Sequence, residues 1–493
     1  MTLFGGGPMT PALHVVRVTC LCLGLATAVA QPTDSSWRAG TARVKITPEK
    51  LLWMTGFSAR TRPAEGTLQD LWTKALALQD PSGERAVMLT ADLCAVSREI
   101  TDRVASQLER SHRIPRRSVL VNVSHTHCAP AIEGTIEGLR EFNAQERADL
   151  AAYRVTLEKK MVQAAVMALD ALRPASLDWG KDSAEFGVNR RENREADLPE
   201  LRAAGRLRGP VDYDVPVLTV RSADGTLAAI VVSYACHPTA LAIYRWTGDY
   251  AGFAQDEMER RHPGATALFV QGCGGDIKAF GGNDVARTQD YGSQLADAVD
   301  RALARPMRTV QGKFNSALAD LELAFARQPT REQLNAAAQD KNDTTRVWAR
   351  FFLARMDQGK EIKMSHSYPV QVWRLGGLAW VALGGEVVVD YSLRLKALAG
   401  EHAWILGYSN DVMAYIPSER IWREDAAYVE DMRLSPGSPR TGFSGYEGYR
   451  SMRPHAKPSP WQPGLEDRIV QKAQELLRAT DRSTVRDGGR SND

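Results

Sequence analysis

"VNVSHTHCAP", residues 121–130, is an apolar run that stops at two histidines. With Ser118, Val119 and Leu120 ahead of it, the run reads as a buried strand. Residues i and i+2 of a strand face the same side, so His125 and His127 are expected to aim at one point. Neutral imidazole is a common metal ligand. Hydrogen bonding alone also explains an H-x-H pair at a loop mouth, and both readings stay open at this point.

The flanking segments place that strand in a mixed pattern. "RAGTARVKITP" alternates and ends at a proline, and "LWTKALALQDPSGERAVMLTADL" reads as strand, turn at Pro81-Ser82-Gly83, strand. Helices are expected over 97–111, 144–172, 250–262 and 285–305. "VPVLTVRSADGTLAAIVVSYACHPT" is a hairpin turning at Asp224-Gly225, and "ATALFVQGCGGDI" a strand entering a glycine turn. The polar stretch 326–364 reads as helical, "YPVQVWRLGGLAWVALGGEVVV" as a hairpin at Gly376-Gly377, and "WILGYSND" as a strand. Aromatic loops run to about 464, and "GLEDRIVQKAQELLRA" is an amphipathic helix. The charged stretch 189–211 reads as a surface loop, placed over a site. No internal repeat is legible, and no Gly/Ser-rich or Pro-rich linker follows residue 37. The expectation is one large α/β domain with mixed β-sheets flanked by helices, spanning 38–478, with a linker at 31–37 and a polar tail at 479–493.

The chain has 493 residues, 44% hydrophobic and 25% charged, with a formal net charge of +3. That balance gives no general argument for nucleic acid or an anionic membrane surface as a partner. Residues 1–30 differ in kind: Arg17 precedes "VTCLCLGLATAVA", which ends in Ala28-Val29-Ala30. The pattern predicts a cleaved export signal, too short to span a membrane, and hence a periplasmic or secreted protein. No later stretch approaches 18 apolar residues. Cys94, Cys128, Cys236 and Cys273 are too few for a disulfide framework and read as small buried residues.

Three further features carry chemistry. His237 in "YACHPT" ends another apolar strand, stopped by Pro238; a capped strand end explains it as well as metal ligation does. Glu386 in "VALGGEVVV" follows two glycines in an apolar hairpin, where a carboxylate needs a metal or an arginine. In "FVQGCGGDIKAF", Gly272, Gly274 and Gly275 form a turn whose N–H groups can hold an oxyanion, without the residues of a P-loop. His112, His262, His366 and His455 sit among polar residues and are expected at the surface, and His402 in a loop.

"VSHTHCAP", "YACHPT", "QGCGGDI", "LGGE" and "AYIPSERIW", in this order, resemble the catalytic domain of the neutral/alkaline non-lysosomal ceramidases. "DLWTKALALQD" and "VDYDVPVLTV" are similar to that family too, and the likeness runs from about 38 to 475. It implies an exported, zinc-dependent amidase acting on the N-acyl bond of sphingolipids. It implies His125, His237, Glu386 and Tyr415 as zinc ligands, and His127 as hydrogen-bond donor or proton shuttle at the substrate carbonyl. Arg190 resembles a family arginine near the site, and Tyr428 a second site tyrosine, with Tyr446 a rival for that place. Two departures stand out. Where the family carries a serine in G-D-V-S-P-N, this chain reads Gly275-Asp276-Ile277-Lys278-Ala279-Phe280, and Lys278 is expected to point into solvent. The family also carries a C-terminal β-sandwich, and the sequence ends before one would begin.

The resulting expectation is a zinc (Zn2+) hydrolase of carbon–nitrogen bonds. It would use metal-activated water on a small-molecule or lipid N-acyl substrate, without nucleic acid or a membrane span. A metal-holding relic without turnover is the alternative. A metal-dependent amidohydrolase barrel fits less well, because H-T-H follows several strands instead of ending the first.

Overall fold

Trp37–Lys45 (β1), Trp72–Gln79 (β2) and Arg85–Ala91 (β3) pair antiparallel in that order. Helix Arg98–His112 (α1) then carries the chain back, so that Val119–Val123 (β4) pairs parallel with β3. Helix Ala144–Asp170 (α2) follows; the Asn143–Glu146 capping box satisfies its first N–H groups. The computed structural model describes residues 36–135, 138–434 and 445–485, together with Gly7, and gives the backbone alone over 428–434 and 482–485. The expected signal, Gly7 apart, lies outside the described residues.

The same succession returns twice. Arg173–Ser183 (β5), Asp214–Ser222 (β6) and Leu227–Tyr234 (β7) pair antiparallel. Helix Asp249–Arg261 (α3) leads to Thr266–Gln271 (β8), parallel to β7, and Val285–Leu303 (α4) follows. In the third round, Phe314–Ala324 (β9) is separated from its partner by two inserted helices, Arg331–Ala337 (α5) and Asp343–Asp357 (α6). Ser365–Leu375 (β10) and Leu378–Leu383 (β11) complete the antiparallel set. Val389–Ala399 (α7) leads to Ala403–Leu406 (β12), parallel to β11; Glu419–Leu434 (α8) and Leu465–Val485 (α9) close the chain. The repeat absent from the sequence is therefore present in the topology, as three antiparallel strands, a crossover helix, and a fourth strand parallel to the third.

Pairing of β1 with β5 joins the first two repeats into one sheet of order β8-β7-β6-β5-β1-β2-β3-β4, and the short strand Arg308–Thr309 adds to β5. The third repeat forms its own sheet, β9-β10-β11-β12. Strands covered on both faces read as near-continuous apolar runs, and the residues of β2 divide accordingly. Ala75 and Ala77 pack in the helix-side core with Leu108 of α1 and Leu157 of α2. Leu76 and Leu78 pack in the inter-sheet core with Trp373, Trp380 and Trp404 of the second sheet. The far side of the second sheet is covered by α7 and α9 through Val372, Val381, Leu395 and Ile469. The layers run helix, sheet, sheet, helix.

The α/β expectation holds, and a barrel is excluded by these open sheets. Four sequence readings are corrected. The stretch 189–211 contains a short helix, Leu198–Ala203. The stretch 326–364 breaks into two helices. A helix, α8, stands where loops were expected, and α9 runs on to Val485. Strands β5 and β9 were not legible, because β9 alternates charged and apolar residues and β5 carries a proline.

One side chain ties the repeats together. Asn122 of β4 is fully buried. Its Oδ1 accepts from Gln271 N at 2.8 Å, and its Nδ2 lies 3.3 Å from Gln271 O, 2.8 Å from Gly407 O and 3.1 Å from Ser409 Oγ. Residues at the ends of β4, β8 and β12 thus meet on one amide. Asn122→Ala removes the partner of Gln271 N and one donor each to Gln271 O and Gly407 O in a buried core, and a loss of about 2–4 kcal/mol should be read as a lower urea midpoint.

Candidate metal centre

The residues just past the strand ends form the site. Three positions beyond β3, β7 and β11 stand Cys94, His237 and Glu386; two positions beyond β4, β8 and β12 stand His125, Cys273 and Tyr408. His125 has φ 66° and Tyr408 φ 51°, left-handed values that cost side-chain-bearing residues about 1 kcal/mol or more. Equivalent hydrogen bonds hold them: His125 N donates to Leu93 O at 2.8 Å and Tyr408 N to Gly385 O at 3.0 Å. This turn aims His125, not the pleat of a strand as expected, since β4 stops at Val123. His127 lies against Phe57, and Gly56 beneath it (φ 93°) has no room for a Cβ, which would stand 2.3 Å from the ring.

His125 Nε2 and His237 Nε2 are 3.1 Å apart, and His127 Nε2 is 3.0 Å from His125 Nε2. Glu386 Oε2 lies 3.0 Å from His125 Nε2 and 3.3 Å from His237 Nε2. His125 Nδ1 meets Cys94 O at 2.5 Å and His237 Nδ1 meets Gly274 O at 2.7 Å. A ring nitrogen facing a carbonyl carries the proton, so both Nε2 lone pairs point at each other and at the carboxylate. Glu386 Oε2 is buried without a hydrogen-bond partner. Three acceptors facing one another in a buried cluster repel unless a cation sits among them. Their spacings match the edges of a tetrahedron with arms of about 2 Å, the length of zinc–nitrogen bonds. His125, His237 and Glu386 therefore fit a metal ion. The Cys94 sulfur lies 3.7 Å from Nδ1 of His125, on the edge of the ring turned away from this cluster.

Glu386 also sets the charges of the rings around it. Burial pulls His237 down to about 3 and, with His125 and His237 beside it, holds His127 well below its ordinary value. Burial opposes a charge on His125 too, but Cys94 and Glu386 outweigh it and raise that imidazole to about 10. Burial likewise opposes the Glu386 charge, and His125 overcomes it, holding the carboxyl well below its ordinary range. Glu386 thus draws positive charge to His125, the charge that a metal ion held there would supply instead.

The predicted site residues gather around this point, with exceptions. Glu386 stands beyond the hairpin, not in it. It pairs in register with Tyr415 through the two-residue strands Glu386–Val387 and Tyr415–Ile416. Tyr415 OH is 3.1 Å from His237 Nε2 and accepts from Arg190 at 3.2 Å. Arg190 also donates to Glu447 at 2.9 Å, and Arg191 to Asp425 at 2.8 Å. Tyr446 stands 5.4 Å from the Tyr415 ring and lines the pocket; the Tyr428 side chain lies outside the described residues. His455, expected at the surface, reaches Glu386 Oε1 at 3.2 Å, and His366 meets Asp411 at 2.8 Å. Lys278 does not simply point into solvent: it is half-buried, 4.8 Å over the Phe280 ring. Burial lowers its pKa, with Glu195 working the other way.

The glycine turn is not an oxyanion hole. Its N–H groups are engaged, Gly274 with Gly272 O and Gly275 with Val387 O. A Cβ on Gly275 would fall 2.8 Å from Glu386 O, so the turn serves close packing of the second and third repeats. Sequence reasoning missed Tyr408, His455, Glu447 and Asp425. For Tyr408 the signal was present: "LGYSND" ends the third parallel strand as "VSHTH" ends the first. Among the described residues, Cys94, Cys128, Cys236 and Cys273 are free and buried.

The profile described as "Neutral/alkaline non-lysosomal ceramidase, N-terminal" matches residues 37–289. The chain belongs to this family. "Neutral ceramidase A" of Dictyostelium discoideum is 26% identical over 258 residues, 50% of this chain and 35% of that protein. "Neutral ceramidase 2" of Arabidopsis thaliana is 26% identical over 180 residues, 35% of this chain and 23% of that protein. The chain thus spans about a third or less of the length of these relatives. The crystal structure of neutral ceramidase from Pseudomonas aeruginosa superposes with a TM-score of 0.66 at 18% identity, covering 90% of this chain and 75% of that one. The fold is the one they share.

Asp276, fully buried in the glycine turn, accepts from Asn189 Nδ2 at 3.0 Å and Val389 N at 2.9 Å. Burial, with the like charge of Asp390 added, raises its carboxyl to about 7. The folded chain then keeps a proton that the unfolded chain has released. This contribution is complete below about pH 4 and is lost as pH rises through about 7, up to about 4 kcal/mol. Urea unfolding between pH 4.5 and 8 should show that loss in the wild type and a flatter profile in Asp276→Asn. Parallel profiles would remove Asp276 as its source.

Proposed function

We propose that this ceramidase-family chain is an exported zinc-dependent hydrolase that cleaves an N-acyl amide bond. The observation that carries the reading is the convergence of His125 Nε2, His237 Nε2 and the unbonded Glu386 Oε2 in a buried pocket. Tyr415 adds a fourth oxygen within reach of His237. A zinc ion held there would supply Lewis acidity toward a carbonyl and acidify a water molecule. The apolar run before Ala28-Val29-Ala30 supports export.

The chain's own residues divide the remaining work. Carbonyls of Cys94 and Gly274 fix the tautomers of His125 and His237. Arg190, anchored on Glu447, orients Tyr415 through its hydroxyl. His127 lines the pocket and stays neutral at rest; its low pKa makes it a strong proton donor to a leaving amine once it has been protonated. Tyr446 lines the same pocket and would offer a hydroxyl to an oxyanion. The substrate class follows the names of the relatives, ceramides and simpler N-acyl amides. Lys278 in place of the family serine supports a second reading, a chain that keeps the metal without turnover.

Elemental analysis should find one zinc per chain in the wild type and none in His125→Ala or His237→Ala. Zinc-free wild type after reconstitution would refute the centre. Zinc-loaded protein should hydrolyse N-acyl amides, ceramide included, in a chelator-sensitive manner; bound zinc without hydrolysis would favour the second reading. His127→Ala should retain zinc while kcat falls by about 10²-fold or more. Loss of zinc in that variant would reassign His127 as a ligand.

A further inference from the structure

Apart from the metal pocket, a cavity of about 390 Å³ opens between α5, α6 and the segment 449–460. Four cations line it, Arg327, Arg450, Arg453 and Lys457, and no carboxylate is among its described lining residues. Trp348 and Tyr449 supply aromatic faces.

The walls are fixed. Phe325 stacks on Trp461 at 4.4 Å, Ala326 N donates to Pro460 O at 2.8 Å, and Arg327 N donates to Ser459 Oγ at 3.0 Å. Trp348 Nε1 donates to Lys457 O at 2.8 Å, and Lys457 N donates to Met452 O at 2.9 Å. Arg453 lies 5.5 Å over the Trp348 ring and donates to Thr345 Oγ1 at 2.8 Å. Neither Arg453 nor Arg327 has a carboxylate at ion-pair distance among the described residues. Arg453 is exposed as a residue, yet desolvation pulls its pKa below the ordinary value, with Asp340 working the other way. The forks of Arg327 and Arg453, matched to no carboxylate among the described residues, on a rigid frame with an aromatic floor, suit an oxyanion taken bidentately.

We propose that this basic cavity binds a multiply charged oxyanion, a phosphorylated or sulfated group, at a site separate from the metal centre. The two are adjacent through one short turn. Arg453 and Lys457 face the basic cavity, while Pro454 and His455 between them line the metal pocket, where His455 meets Glu386. An anion that fixes this turn therefore also fixes the outer partner of Glu386.

The proposal is independent of hydrolysis, and its test is binding. Isothermal titration of the mature protein with inorganic pyrophosphate should show saturable binding, weakened about tenfold or more in Arg327→Gln and Arg453→Gln. Arg331→Gln, whose ion pair with Asp357 lies outside the cavity, should bind as the wild type does. Melting curves establish that the variants are folded. A parallel arm uses phosphatidylcholine vesicles with and without phosphatidic acid. Variant-sensitive binding of pyrophosphate identifies a free anion as the ligand, and variant-sensitive binding of the anionic vesicles alone identifies a lipid headgroup. No binding in either arm, or binding indifferent to both substitutions, overturns the site.

Discussion

The amide of Asn122 is the interaction on which the site depends. It sits where the last strand of each repeat ends, and it satisfies backbone groups of the other two. A buried polar hub of this kind is costly unless fully bonded, and that cost gives it directional force. Its hydrogen bonds are met in the mutual placement that the three repeats adopt. That placement brings the turn after β4, the end of β7 and the strand holding Glu386 to one point. The left-handed turn at His125 and its counterpart at Tyr408 follow from the same geometry, since both chains turn sharply just past the hub.

A second layer of charge holds the rim. Arg190, Arg191, Asp425 and Glu447 are deeply buried, and each arginine meets Glu447. Such networks give little net stability over apolar packing but severely penalise any arrangement that breaks them. Asp425 also accepts from the N–H groups of Gly445 and Gly448, at 2.9 and 2.7 Å. The segment bearing Tyr446 is thus pinned against Arg190 and Tyr415, and the wall of the pocket inherits the rigidity of four buried charges.

Much of this was legible in the sequence, and the remainder has physical reasons. Strands buried on both faces announce themselves as apolar runs, so β4, β7, β8, β10 and β11 were readable, and so were the histidines at their ends. Strand β9 was not, because its outer residues alternate with charges that partner neighbouring elements; Asp320, for example, pairs with Arg98. The threefold repeat left little trace beyond the likeness of "LGYSND" to "VSHTH", since its equivalent positions hold different chemistry: Cys94, His237 and Glu386 in one set, His125, Cys273 and Tyr408 in the other. The glycine turn misled because its N–H groups were assumed free, whereas burial had already paired them. His455 looked like a surface residue because its neighbours are polar, and only tertiary placement carries it to Glu386.

The convergence of His125, His237 and Glu386 also has a thermodynamic side. The first two are 112 positions apart in the chain, and each comes from a different repeat. A cation among them closes two long loops at once and acts as a cross-link at the seams. Parting those seams would break the Asn122 hub and expose the cores on either side. A bound ion would therefore favour the folded chain over the unfolded one by mass action, and the three repeats would share that stabilisation.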